Sequence, residues 1–149
     1  MKPQTNILPL LIALLCSAGA GNAQSRSDIP GFLAAAGDAG REMALLTPSI
    51  QKVNDASAYV PLIAAARKLA TKVQQTGPTM SAEQYDSLQR ELAAIESDLD
   101  KLLGAPGGSC PKSCRDGFGE GYAGSKGWNR FVCKLGCIKI KAPTGKSGG

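Results

Sequence analysis

The residues best placed to do chemistry are four cysteines near the end of the chain. Cys110 and Cys114 form one C-x3-C, Cys133 and Cys137 form a second, and eighteen residues separate the pairs. Thiols at this spacing suit structural disulfides, a four-cysteine zinc site or a redox dithiol. Zinc pairs tolerate two to four intervening residues, so spacing alone permits the metal. Catalytic dithiols normally use C-x-x-C, which counts against the redox reading.

The compartment decides between the first two. Residues 1–23 have the layout of a secretory signal. Lys2 gives a positive start, Ile7 to Cys16 is almost continuously apolar, and small residues run through Ala18 to Ala23. Cleavage is expected after Ala23, or alternatively after Ala20. The apolar run is shorter than the roughly 20 residues a membrane span needs. A fifth cysteine, Cys16, falls inside this signal, and Leu15 before it is too large for a lipidation site. An exported chain with an even set of four cysteines predicts two disulfides rather than zinc. Four cysteines allow three connectivities. The nested pairing of Cys110 with Cys137 and Cys114 with Cys133 is favoured, because a bond within one C-x3-C would strain a helix. Each bridge is expected to contribute about 3 kcal/mol to a segment too small and Gly-rich to fold on core burial alone.

Other chemistry finds little support. The chain has no histidine, which excludes His-dependent triads and His-ligated metal sites. Asp116 and Glu120 are the only carboxylates from Gly104 onward, and a small secreted hydrolase built on them is the alternative kept for catalysis. Gly119, Gly121 and Gly124 match G-x-G-x-x-G, but no apolar strand precedes them and no apolar helix follows, so no dinucleotide is expected. The sequence predicts no enzyme and no cofactor.

Charge points instead to binding. Residues 24–103 carry eight Lys/Arg and ten Asp/Glu, whereas 104–149 carry eight Lys/Arg and two Asp/Glu. The cysteine-bearing end is therefore the basic one. It suits an anionic envelope component, an acidic protein face or a lipid surface, and nucleic acid is not expected. On a helical projection of 128–141, Trp128, Phe131, Val132, Leu135 and Ile138 share one face, with Cys133 and Cys137 roughly opposite beside Arg130 and Lys134. The predicted contact residues are Trp128, Phe131 and Leu135 as apolar anchors and Arg130, Lys134, Lys139 and Lys141 as a cationic rim. The face is open to two readings: cover by the chain's own helices, or a partner or membrane surface where each Lys or Arg is worth about 1 kcal/mol. A membrane-active toxin or antimicrobial protein is the further alternative. The run Ile138–Lys141 alternates and is also compatible with a short strand.

The elements that must position these residues are helical. Residues 27–46 read as one weak helix, burdened by Gly37 and Gly40 at about 1 kcal/mol each and ending before Pro48. Pro61 either kinks or opens the next helix, in which Leu62, Ala66, Leu69 and Val73 form a stripe. Thr76-Gly77-Pro78 stops it, and Ser81 with Gln84 forms a capping box. Tyr85, Leu88, Leu92, Ile95, Leu99 and Leu102 then recur at alternating steps of three and four, up to Gly104. The short turn makes the two helices antiparallel neighbours, and their seam is also able to pair between chains. The twin C-x3-C is similar in spacing to helical-hairpin peptides and to mitochondrial twin C-x3-C chaperones, but the glycines from Gly117 to Gly127 are expected to break helices there.

The expected organisation is mainly α. It comprises a signal (1–23), a helical hairpin or three-helix domain (24–104), a linker (105–109), a basic two-disulfide module (110–141) and a disordered tail (142–149). The expected role is an exported non-catalytic binding protein, periplasmic or secreted.

Overall fold

The computed structural model describes residues 27–104, 109–121 and 124–141, with 139–141 as backbone only. The expected signal, most of the expected linker and the tail lie outside the described residues. Among the described residues the structure is mainly α, with five helices and no strand. They are α1 (27–50), α2 (Ala56–Thr76), α3 (Ala82–Leu103), α4 (Ser109–Phe118) and α5 (Ser125–Lys141).

Local chemistry sets the ends of α3. Ser81 accepts a hydrogen bond from the Gln84 amide at 3.0 Å, and Gln84 Oε1 accepts from the Ser81 amide at 2.8 Å. This is the expected capping box, and it satisfies two of the amides a helix start leaves free. Gly104 ends the helix in the left-handed conformation, its amide donating to the Asp100 carbonyl.

Three boundaries depart from expectation. The first helix passes Pro48 and runs to 50. Burial of Met43 and Ile50 holds this last turn, and the Thr47 hydroxyl donates to the Met43 carbonyl at 2.6 Å. Of the two roles expected of Pro61, it does not open a helix but sits inside α2, past the first turn, where one backbone hydrogen bond is lost. Of the glycines expected to break the cysteine segment, Gly119, Gly121 and Gly124 do lie between the helices at positive φ, but α4 includes Gly117, α5 includes Gly127 and Gly136, and 138–141 is helix rather than strand. Two bridges that pin both helices offset their low propensity.

Pairwise contacts give the directions. Tyr59 of α2 donates to the Leu102 carbonyl of α3, and Lys72 pairs with Glu91, so α2 and α3 run antiparallel. Gly37 lies against Gln74 and Gly40 against Ala70, which sets α1 antiparallel to α2 and explains small residues at this crossing. The bridges Cys110–Cys137 and Cys114–Cys133 set α4 antiparallel to α5. Gly124 bonds Gln89, Gly127 meets Leu92, and Arg130 pairs with Glu96, so α3 and α5 run parallel in a constant register. Phe32 of α1 packs edge-on against Tyr85 of α3, with ring centroids 5.1 Å apart, and tilted against Trp128 of α5 at 5.9 Å.

The buried side chains of all five helices form one apolar core, from Ile29 to Ile138. The helical unit and the cysteine module therefore share their interior. The stripes are rotated slightly from expectation. On α2 the inward residues are Tyr59, Ile63, Ala66, Leu69, Ala70 and Val73, with Leu62 only partly covered. On α3 they are Tyr85, Leu88, Leu92, Glu96, Leu99 and Leu103. Glu96 occupies a place in the seam where the sequence pattern offered Ile95.

Cys110→Ser/Cys137→Ser is expected to cost about 3 kcal/mol in guanidinium unfolding, measured as a lower midpoint, because the loop it closes returns to the unfolded ensemble. An unchanged midpoint would mean that the Cys114–Cys133 bridge and core burial hold α4 without this bond.

Candidate functional site

The junction of α3 and α5 holds the most concentrated chemistry among the described residues. Glu96 is buried, and its carboxylate accepts from Arg130 Nε at 2.5 Å and from Nη2 at 2.7 Å. Lys134 Nζ donates to the same carboxylate at 2.6 Å and to Asp100 at 3.0 Å. Arg130 also donates to the carbonyls of Gly119 at 2.8 Å and Gly121 at 2.7 Å. Arg130 and Lys134 are 4% and 1% exposed, so both cations are spent inside the protein.

The electrostatics follow from this geometry. Burial alone would raise the Glu96 pKa, but hydrogen bonds from Arg130 and Lys134 outweigh it and hold the carboxyl below its usual range. The hydrogen bond from Arg130 to Glu96 raises the guanidinium pKa against the effect of burial. A buried carboxylate held by two cations is not a base in waiting. The cluster joins two helices and anchors the α4–α5 connection.

A second feature opens beside it. A groove of about 530 Å³ lies where α1, α3 and α5 come together, lined by Ser27, Asp28, Gly31, Tyr85, Gln89, Gly124, Ser125 and Lys126. Its lining offers one carboxylate, one ammonium, a phenol, an amide and two hydroxyls. Burial, and then the nearby Asp28 carboxylate, push the Tyr85 phenol up to about 12, so it remains a neutral donor. Gly124 has a φ of +55°, and a Cβ there would stand 3.2 Å from the Tyr85 hydroxyl. Glycine is needed for the turn and for this approach.

The structure brings together most of the predicted contact residues, but inside the core rather than on a surface. Trp128, Phe131 and Leu135 are fully buried against the helical unit, and Arg130 and Lys134 turn toward Glu96. Of the two readings of this face, the structure gives cover by the chain's own helices. The physical reason is that the apolar face of α5 fills the core and its cysteine face is bonded to α4. Lys139 and Lys141 lie on α5, with their side chains outside the described residues. Asp116 is exposed and pairs with Lys112 at 2.9 Å, and Glu120 is exposed in the following turn. Neither carboxylate is set in a buried pair.

All four cysteines are in disulfides, in the nested pairing. Such bridges mark a chain that folds in an oxidising compartment. The projection missed the acidic partners. The signal for them was present: Glu96 and Asp100 stand four apart on α3, and Arg130 and Lys134 stand four apart on α5, which matches two parallel helices. No protein-family model, no curated protein and no solved structure matches the chain.

Trp128→Ala is expected to destabilise the chain by about 3–5 kcal/mol, whereas Trp128→Phe costs less, since Trp128 Nε1 has no hydrogen-bond partner among the described residues. Equal stability of Trp128→Ala and the parent in chemical unfolding would place this side chain outside the core. The Glu96 carboxyl is depressed in the folded state, so its contribution is fully present above its ordinary value of 4.5 and is lost as pH falls through the folded value. Thermal unfolding from pH 7 to pH 2 should show this acid limb. Glu96→Gln should flatten it and lower stability at pH 7 by about 3–5 kcal/mol, because two buried cations lose their counter-charge.

Proposed function

We propose that this chain is an exported, non-catalytic binding protein, periplasmic or secreted, whose contact surface is the polar groove between α1, α3 and α5. The groove is the observation that carries the reading. It joins opposite charges and neutral donors on rigid helix ends, and pre-set polar groups in a concavity are what a binding site requires. Lys126 is exposed on its rim. The partner is an anionic group, met by Lys126 and oriented by the Ser125 hydroxyl and the Tyr85 phenol.

Three observations support the non-catalytic part. Glu96 and Asp100 are bound to cations, Asp116 is bound to Lys112, and Tyr85 stays protonated. The two disulfides support export. No helix among the described residues is long and apolar enough to cross a membrane. A membrane-active reading loses its anchor, because the Trp128 face is occupied by the core.

The test places a photoreactive side chain at position 126 and, as a control, at Thr71, which is exposed on α2. Irradiation of the exported protein in its native envelope should give a defined adduct from position 126 and none from 71. Lys126→Glu, with the same circular dichroism as the parent, should reduce capture of that partner several-fold. Equal labelling from both positions, or capture indifferent to Lys126→Glu, would count against the groove.

A further inference from the structure

We propose that the four cysteines, once reduced, form a four-thiolate site for a zinc-class divalent cation, so that the α4–α5 hairpin has two alternative cross-links. The argument starts from the packing of the two bridges. Cys114 Sγ and Cys137 Sγ belong to different disulfides, yet they lie 4.0 Å apart. The sulfurs of Cys110, Cys114 and Cys137 all fall within 4.8 Å of one another. In a tetrahedral thiolate site with metal–sulfur bonds of about 2.3 Å, the sulfurs stand about 3.8 Å apart. The distance between the bridges is therefore already close to that of a shared metal.

The helices supply the rest. Each C-x3-C presents both its sulfurs on one face of one helix, and α4 and α5 lay those faces against each other. The Cα atoms across each bridge are 5.8 Å apart, so rotation about the Cα–Cβ bonds separates the freed sulfurs without moving a helix. Cys114 and Cys137 are buried and Cys110 and Cys133 half-buried, which gives a dry site with one open side. Four thiolates around a divalent ion leave two negative charges. Residues 109–141 carry seven Lys/Arg against two Asp/Glu, and with Arg130 and Lys134 set aside as partners of Glu96 and Asp100 the excess is still five against two, a field that favours the bound anion. An all-sulfur tetrahedral donor set selects zinc over the harder cations.

The chemistry balances as a reduction followed by an exchange. A dithiol reductant gives two electrons and two protons to each bridge and leaves as its own disulfide. Two such steps break both S–S bonds and form four thiols. The cation then displaces four protons.

The test uses the full chain, reduced anaerobically with a phosphine that is itself oxidised to the phosphine oxide. Zinc should bind with an end point of about one per chain. It should withdraw Cys110, Cys114, Cys133 and Cys137 from alkylation, mapped by peptide mass, while Cys16 continues to react. Cobalt in its place should give the intense visible bands of a tetrahedral thiolate site. Zinc should also restore whatever helicity is lost on reduction, and Cys114→Ser should abolish the end point. No end point, or protection of only one C-x3-C, would overturn the proposal, even for a reduced chain that has lost its fold, because metal and folding are coupled in such a site.

Discussion

The buried carboxylate of Glu96, shared between Arg130 and Lys134, is the interaction on which the arrangement of the cysteine module depends. Taking three charges out of water is costly, and their mutual attraction repays it only when every partner is in place. Here the guanidinium meets the carboxylate with two bonds and caps two loop carbonyls with others, and the ammonium bridges Glu96 to Asp100. A slide of α5 by one turn would strand these charges in the core. The pairing thus sets one register between α3 and α5, which non-directional apolar burial of Leu92, Trp128 and Phe131 would enforce less sharply.

The disulfides act at a different level. They join α4 to α5 and make a ten-residue helix with a proline and a glycine persist. They make no covalent link to the helical unit, although Cys114 and Cys137 belong to the shared core. That union comes from the apolar side of α5 and the Glu96 cluster, which bring the basic end and the acidic end of the sequence together. The charge asymmetry along the chain is partly a complementarity within it. Two of the cations that make the C-terminal end basic are neutralised inside, and the surface that remains is more mixed. Lys126 lines the same groove as the Asp28 carboxylate.

Much of this was legible. The capping box at Ser81, the stop at Gly104, the antiparallel hairpin of α2 and α3 and the nested bridges all follow from short-range rules of spacing and backbone geometry. What the pattern read less well shares one cause. Ile95 and Leu102 fit the apolar repeat of α3, but Glu96 and Leu103 are the buried residues, because a helix packed on two neighbours buries a wider arc than a two-helix seam. Gly117, Gly127 and Gly136 argue against helix by propensity, and the cross-links override them. Pro48 argues for a stop, and the burial of Ile50 carries the helix past it.

The sequence alone determined that the chain is helical, that its four C-terminal cysteines act as pairs, and that α5 has an apolar face with cations beside the cysteines. It could not say what covers that face. A helical projection gives the direction of each side chain but not the identity of its neighbour: Arg130 and Lys134 meet a helix about thirty-five residues away in the chain, and Trp128 meets Phe32 of α1. Only the tertiary structure decided that residues suited to a partner serve the core, and that among the described residues a polar groove forms beside Tyr85 and Lys126. The reason is physical: burying aromatic rings and pairing charges is favourable wherever a matching surface exists, and this chain carries that surface in α1 and α3.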